Sequence, residues 1–238
     1  MKEIKILHLF PTLLSLYGEY GNVAVLRRTL ENMGNTVTVD TYENGELVLN
    51  EYDFIYVGSG TEDNLMEAIR RLMPHQEAIA ESINRGDLWL ATGNAMTLFG
   101  ASVTRNETTT EALGCFDYTT QIDDKTRYLG DVLTEEAFGG SFVGFVNNSC
   151  VFEGVSTPLL TLQLGKHLSN DDNSFTEGIH AKNFYGTQLI GPVLVKNPHF
   201  LETICQAITG EAVQLPKDSY AQKAYDVALA ELTKRLQA

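Results

Sequence analysis

Two periods of hydrophobic spacing alternate along the first hundred residues. Ile4-Lys5-Ile6-Leu7-His8-Leu9-Phe10 reads as a short strand that ends at Pro11, and a Gly/Tyr-rich turn follows at Leu16-Tyr17-Gly18-Glu19-Tyr20-Gly21-Asn22. Val23, Leu26, Leu30 and Met33 then recur at helical spacing and predict a helix stopped by Gly34. Thr36-Val37-Thr38-Val39 is a β-branched strand. Tyr52-Asp53-Phe54-Ile55-Tyr56-Val57 is nearly apolar throughout, as strands buried on both faces are. Beyond Gly58-Ser59-Gly60, one helical face carries Leu65, Ile69 and Leu72. Pro74 suits the first turn of a second helix through Ile79 and Ile83. A strand around Trp89 closes the series. This order predicts an α/β protein with an open, mostly parallel sheet flanked by helices.

From about 100 to 195 the pattern changes. Arg127 to Leu133 and Ser141 to Val146 alternate with Gly, Asn and Asp turns, so hairpins are expected there, and Ser169 to Ser174 reads as a polar loop. The tail from Asp218 to Gln237 predicts an amphipathic helix with Ala221, Tyr225, Leu229, Leu232 and Leu236 on one stripe. With no repeat and no linker, the expected organisation is one domain over 1–210 and a C-terminal helical segment, 211–238, packed on it.

A formal charge of −14 argues against nucleic acid and anionic membrane surfaces as partners. Cys115, Cys150 and Cys205 are scattered without metal-like or disulfide spacing, and the first apolar run is too short for a signal segment. A cytoplasmic protein without a metal or other cofactor is expected.

The most informative segment runs from Asp87 to Gly100: a short apolar strand, a tight turn at Gly93, then a short helix. Many α/β enzymes expose a Ser or Cys nucleophile at such a bend, because the next backbone N–H can hold an oxyanion. Here the bend carries Thr92. Gly58-Ser59-Gly60 forms a second Gly-containing turn that would frame the same crevice, with Asn94 beside it. It lacks a P-loop Lys and the dinucleotide fingerprint, and taken alone it reads first as a tight turn that needs glycine. Each cysteine reads first as a small buried hydrophobe. His8 is expected to pack at the end of its strand, His167 and His199 to be exposed, and His180 to be a surface residue with some prospect of reaching the crevice. Glu62 and Glu177 are single carboxylates for which solvation is the default. Tyr17 and Asn22 sit where Gly18 and Gly21 would let backbone approach a ligand.

Several runs together resemble the cobyric-acid-synthase type of class I glutamine amidotransferases. They are Leu7-His8-Leu9-Phe10-Pro11, Leu16 to Asn22, Gly58-Ser59-Gly60-Thr61-Glu62-Asp63, Leu113-Gly114-Cys115-Phe116-Asp117 and Val143-Gly144-Phe145-Val146-Asn147-Asn148. Glu177-Gly178 follows, then Asn183 to Pro192 with Lys196-Asn197-Pro198 after it, the most specific part. Within that group the chain is most similar to the glutaminase subunit of lipid II isoglutaminyl synthase, which partners a Mur-ligase-like subunit. The resemblance implies a three-layer, flavodoxin-like fold and ammonia release from glutamine by a Cys at the bend with a His as base. It places that Cys at Thr92 and that His at Ile190. Val146 and Asn148 likewise stand where a middle motif has Glu and His.

A hydroxyl needs a general base to attack, and Ile190 accepts no proton. Losing members of a nucleophile–base unit costs ~10³ to 10⁶ in rate. The resemblance therefore implies a catalytically inactive, amidotransferase-like partner of a Mur-ligase-like or other amide-forming enzyme. Gly58, Ser59, Gly60, Gly93 and Asn94 would retain the pocket, and Tyr17, Asn22, Asn147, Asn148 and Glu177 are candidate ligand contacts. Two alternatives stay open. One is an active glutaminase or other hydrolase, feeding a cell-wall or cobalamin-type amidation through Thr92 or an unusual base. The other is a sensor binding a small polar ligand through Asn94, Asn147 and Asn148.

Overall fold

The computed structural model describes residues 1–171 and 175–237, so 172–174 of the expected polar loop lie outside the described residues. Strand β1 (Glu3–Leu9) leads through a 3-10 turn at Leu16–Gly18 to helix α1 (Tyr20–Asn32), then β2 (Thr36–Tyr42) and β3 (Phe54–Val57). Helix α2 (Glu62–Leu72) joins α3 (Gln76–Arg85) through a 3-10 turn holding Pro74, and β4 (Trp89–Thr92) follows. Thr61 caps α2 by accepting the Asn64 N–H at 3.2 Å, and Gly86, at φ 93°, ends α3.

The expected short helix after β4 is a 3-10 helix, Gly93–Phe99. Seven short strands come next: β5 (Ser102–Arg105), β6 (Thr108–Glu111), β7 (Thr119–Ile122), β8 (Tyr128–Ala137), β9 (Gly140–Asn148), β10 (Cys150–Glu153) and β11 (Leu160–Leu164). After them lie β12 (Thr176–Glu177), β13 (Ile179–Ala181), β14 (Phe184–Thr187), α4 (Val193–Lys196), α5 (Pro198–Thr209) and α6 (Tyr220–Leu236).

The central sheet has the order β13-β14-β4-β3-β1-β2, parallel except at the β13 edge. Its strands alternate between two cores. Ile4, Ile6, Phe54, Tyr56 and Leu90 face α1, α5 and the β8–β9 hairpin, while Leu7, Leu9, Ile55, Val57 and Trp89 face α2, α3 and the 3-10 helix. Burial on both faces explains why β3 and β4 lack a polar alternation. Of the segment 100–195, expected to be hairpins, strands β5 to β12 form two further four-stranded sheets, β10-β7-β5-β6 and β12-β11-β8-β9, while β13 and β14 join the central sheet, β14 in parallel with β4. Helix α6 covers the outer face of the β12-β11-β8-β9 sheet through Tyr225 and Leu232, whereas Leu236 of the expected stripe is exposed.

Candidate active site

In such a sheet the chain reverses its winding between β1 and β3, and ligand sites lie beyond the carboxyl ends of the strands there. The loop after β1 and the Gly58-Ser59-Gly60 turn after β3 meet at that place. The Ser59 N–H donates to Glu19 Oε2 at 2.6 Å, and the Leu16 N–H donates to the Ser59 carbonyl at 3.0 Å. The next turn is tied on by Asn94, which accepts the Gly60 N–H at 3.1 Å and donates to the Gly60 carbonyl at 2.8 Å. Gly58, Ser59, Gly60, Thr92, Gly93 and Asn94 thus form one packed unit.

Thr92 is fully buried at the end of β4, and its hydroxyl shares a 2.9 Å hydrogen bond with the Tyr56 hydroxyl. Asn22 donates to the same Tyr56 oxygen at 3.0 Å and accepts the Leu194 N–H at 2.9 Å, which links α1 to α4. Gly93 has φ 62°. A Cβ there would stand 1.8 Å from Ser59 Oγ and 2.9 Å from Ile190 Cγ2, so only glycine fits. Ser59 and Ile190 therefore converge over Gly93, the residue next to Thr92. The space over Gly93, where the crevice between the two turns is expected, is taken by Ser59 of one turn and by Ile190 from the segment after β14.

Glu19 lies against this unit and was not legible as a site residue. It is 1 % exposed, its Oε1 has no hydrogen-bond partner among the described residues, and burial raises its carboxyl to about 7, opposed by the Ser59 hydroxyl and N–H and the Thr92 hydroxyl. Only the glycines around it distinguish it in the sequence. Tyr56, likewise missed, is hidden in an apolar strand run.

The remaining candidates separate into two groups. Tyr17 and Asn147 lie at the rim with Arg127, which donates from Nε to Asn147 Oδ1 at 2.9 Å, from one terminal nitrogen to Glu62 at 2.7 Å and from the other to the Tyr17 hydroxyl at 3.5 Å. Glu62 is therefore paired rather than solvated, and it also accepts the Ser149 hydroxyl at 2.7 Å. Asn148 and Glu177 belong to a buried polar network instead. Asn148 donates to Gln188 Oε1 at 3.1 Å, and Gln188 Nε2 donates to Asn170 Oδ1 at 3.1 Å. Glu177 accepts the Thr187 hydroxyl at 3.0 Å and the Gln188 N–H. The carboxylate expected to be solvated is fully buried, and burial raises it to about 7.

His180 is not at the bend. It pairs in register with Tyr185 on the edge strand β13 and stacks on that ring at 4.5 Å. His199, expected to be exposed, is half-buried against Phe142, and burial lowers it to about 4. His8 packs on Tyr56 at 5.1 Å and is likewise lowered to about 4 by burial. Among the described residues no group of three potential metal ligands is assembled, and no helix is long and apolar enough to cross a membrane.

The sequence model of the CobB/CobQ-like glutamine amidotransferase domain matches residues 5–198. The chain is 29% identical over 212 residues to the GatD subunit of lipid II isoglutaminyl synthase (glutamine-hydrolyzing) of Staphylococcus aureus strain N315, covering 87% of this chain and 86% of that protein. It is 27% identical over 223 residues to the corresponding subunit of Streptococcus pneumoniae, covering 90% and 85%. Among solved structures, the glutaminase domain of Trypanosoma brucei CTPS with bound acivicin superposes with a TM-score of 0.55 at 12% identity, covering 92% of this chain and 98% of that one. A crystal structure of a glutamine amidotransferase gives 0.54 at 12% identity, with 85% and 98% covered. These two likenesses are of fold.

Proposed function

The chain belongs to the CobB/CobQ-like glutamine amidotransferase family, and from that premise we propose that it is a member without glutamine hydrolysis of its own, serving as the amidotransferase-like subunit of an amide-forming assembly. The observation that carries this reading is the packing at the end of β4. Thr92 is fully buried with its hydroxyl bonded to Tyr56, while Ser59 and Ile190 occupy the space over Gly93. Hydrolysis by the implied route needs a thiolate to attack the carboxamide carbon and an imidazole to pass a proton to the departing ammonia. A hydroxyl and a branched alkyl group stand in those places. The three cysteines offer no substitute, since burial pushes each thiol up to about 12. Cys150, moreover, is the buried first residue of β10, and its sulfur accepts the Thr97 hydroxyl at 3.8 Å.

The curated relatives are, by their names, subunits of a lipid II isoglutaminyl synthase. Likeness to them favours a Mur-ligase-like, amide-forming partner in cell-wall synthesis and a cytoplasmic location. A second reading rests on Glu19. A carboxyl raised to about 7 beside Thr92 has a general base's proton affinity, and a shift of Ser59 would open a Thr–Glu hydrolase.

Ammonia release from glutamine separates the two. Background release by the chain and by Thr92→Ala, with a gain in Thr92→Cys/Ile190→His, is the expected outcome. Turnover in the unaltered chain that disappears in both Thr92→Ala and Glu19→Gln would replace the first reading by the second.

A further inference from the structure

A cavity of about 560 Å³ lies away from the β4 bend, between α6, α4 and strand β9. Its walls are mostly aliphatic, with Val143, Val195, Ala224 and Leu232 among them, and Tyr220 stands exposed at its rim. The space exists because α6 turns Ala221, Ala224 and Ala228 toward it. This size and lining are those of small-molecule sites, typically ~300–1,000 Å³ and apolar with a few polar groups.

The charges around the cavity are unequal. Asp131 is paired with Arg235, and Glu231 is paired with Lys234 at 2.6 Å. Lys196 is half-buried in the wall, and among the described residues its ammonium has no hydrogen bond or ion pair. It lies over Gly191, its Nζ 3.4 Å from where a Cβ of that residue would be. One cation is thus left facing a largely apolar space in a chain whose net charge is −14.

We propose that this cavity binds a small amphipathic anion, an apolar body with one carboxylate or phosphate head, and that Lys196 supplies the counter-charge. An apolar molecule alone would leave the ammonium desolvated, whereas an anionic head completes it. Burial lowers the proton affinity of Lys196, opposed in part by Asp131, a carboxylate of the same wall already held by Arg235, and an incoming anion offsets the cost that remains. The site is independent of the reading of Thr92. It also bears on that region, because Lys196 ends the segment that carries Ile190 and is anchored by Asn22.

Titration calorimetry with decanoate, decyl phosphate and 1-decanol tests the site. Saturable one-to-one binding of at least one anion is expected, weakened at least about tenfold in Lys196→Met. Ala224→Trp, a change at an exposed position on the wall, is expected to abolish it with the melting temperature retained. Preference between the two anions identifies the head group. The proposal is overturned if neither anion binds saturably, if decanol binds as tightly as both, or if Lys196→Met leaves the affinity unchanged.

Discussion

Glu19 is held beside Thr92 at a carboxyl pKa near 7, and protonation of that one group couples the state of the site to the stability of the fold. Its ordinary value is 4.5, so between 4.5 and about 7 the folded chain holds a proton that the unfolded chain has released. Stability from this group is therefore fully present below pH 4.5 and declines as pH rises through that window. The whole shift corresponds to a penalty on the order of 3 kcal/mol above pH 7. Glu19→Gln keeps the shape and removes the charge. Urea unfolding is expected to show the variant more stable than the parent at pH 8 and close to it at pH 4.5, and equal differences at both would refute the assignment. His8 acts in the opposite sense, since burial lowers it from 6.5 to about 4, so its contribution is lost as pH falls through that range. At this scale the sequence was informative where a residue type was conspicuous by position, as with Thr92 and Gly93. It was uninformative for Glu19, Tyr56 and Gln188, whose roles come from neighbours more than thirty residues away or, for Gln188, from Asn148 forty residues earlier.

Among the elements, α6 is the one most open to adjustment. It is capped by Ser219, whose hydroxyl accepts the Gln222 N–H at 3.2 Å, and docked by Tyr225, which donates to the Ser141 carbonyl at 2.9 Å. Ser219→Ala is expected to cost about 1 kcal/mol. Hydrogen exchange should show the loss in the amides of α6, with the central strands little changed; a uniform loss over all amides would mean that α6 opens only with the whole fold. The β8–β9 hairpin was legible from its alternating pattern, but its turn was not. Phe138 and Gly139 both have positive φ, 53° and 92°, as a two-residue hairpin turn requires. Phenylalanine is a poor choice there by local preference. Contacts of its ring with Phe142, His180, Tyr185 and Phe200 offset the backbone cost, and no short-range signal carries such contacts.

For the molecule as a whole, the alternating helix and strand periods foretold the parallel sheet, since one plainly legible helix separates β1 from β2 and a helical pair separates β3 from β4, although only a loop joins β2 to β3. The exception is β14, whose residues Phe184–Thr187 are two aromatics, a glycine and a threonine with no alternation to mark a central strand. It pairs in parallel with β4, from Phe184 opposite Trp89 to Thr187 opposite Thr92. That pairing joins residues nearly a hundred positions apart and brings Ile190 to Gly93.

The late arrival of β14 sets a timetable for the nascent chain. Until the last third is made, β4 is a bare edge whose four residues are all buried in the finished sheet. At ~5–20 residues per second, the ribosome leaves that edge unpaired for about 5–20 s. A chain stopped after Asn183 should therefore associate through β4 and sediment as oligomers, while one stopped after Gly210 should stay monomeric; a monomeric shorter chain would show that another segment shields the edge during synthesis.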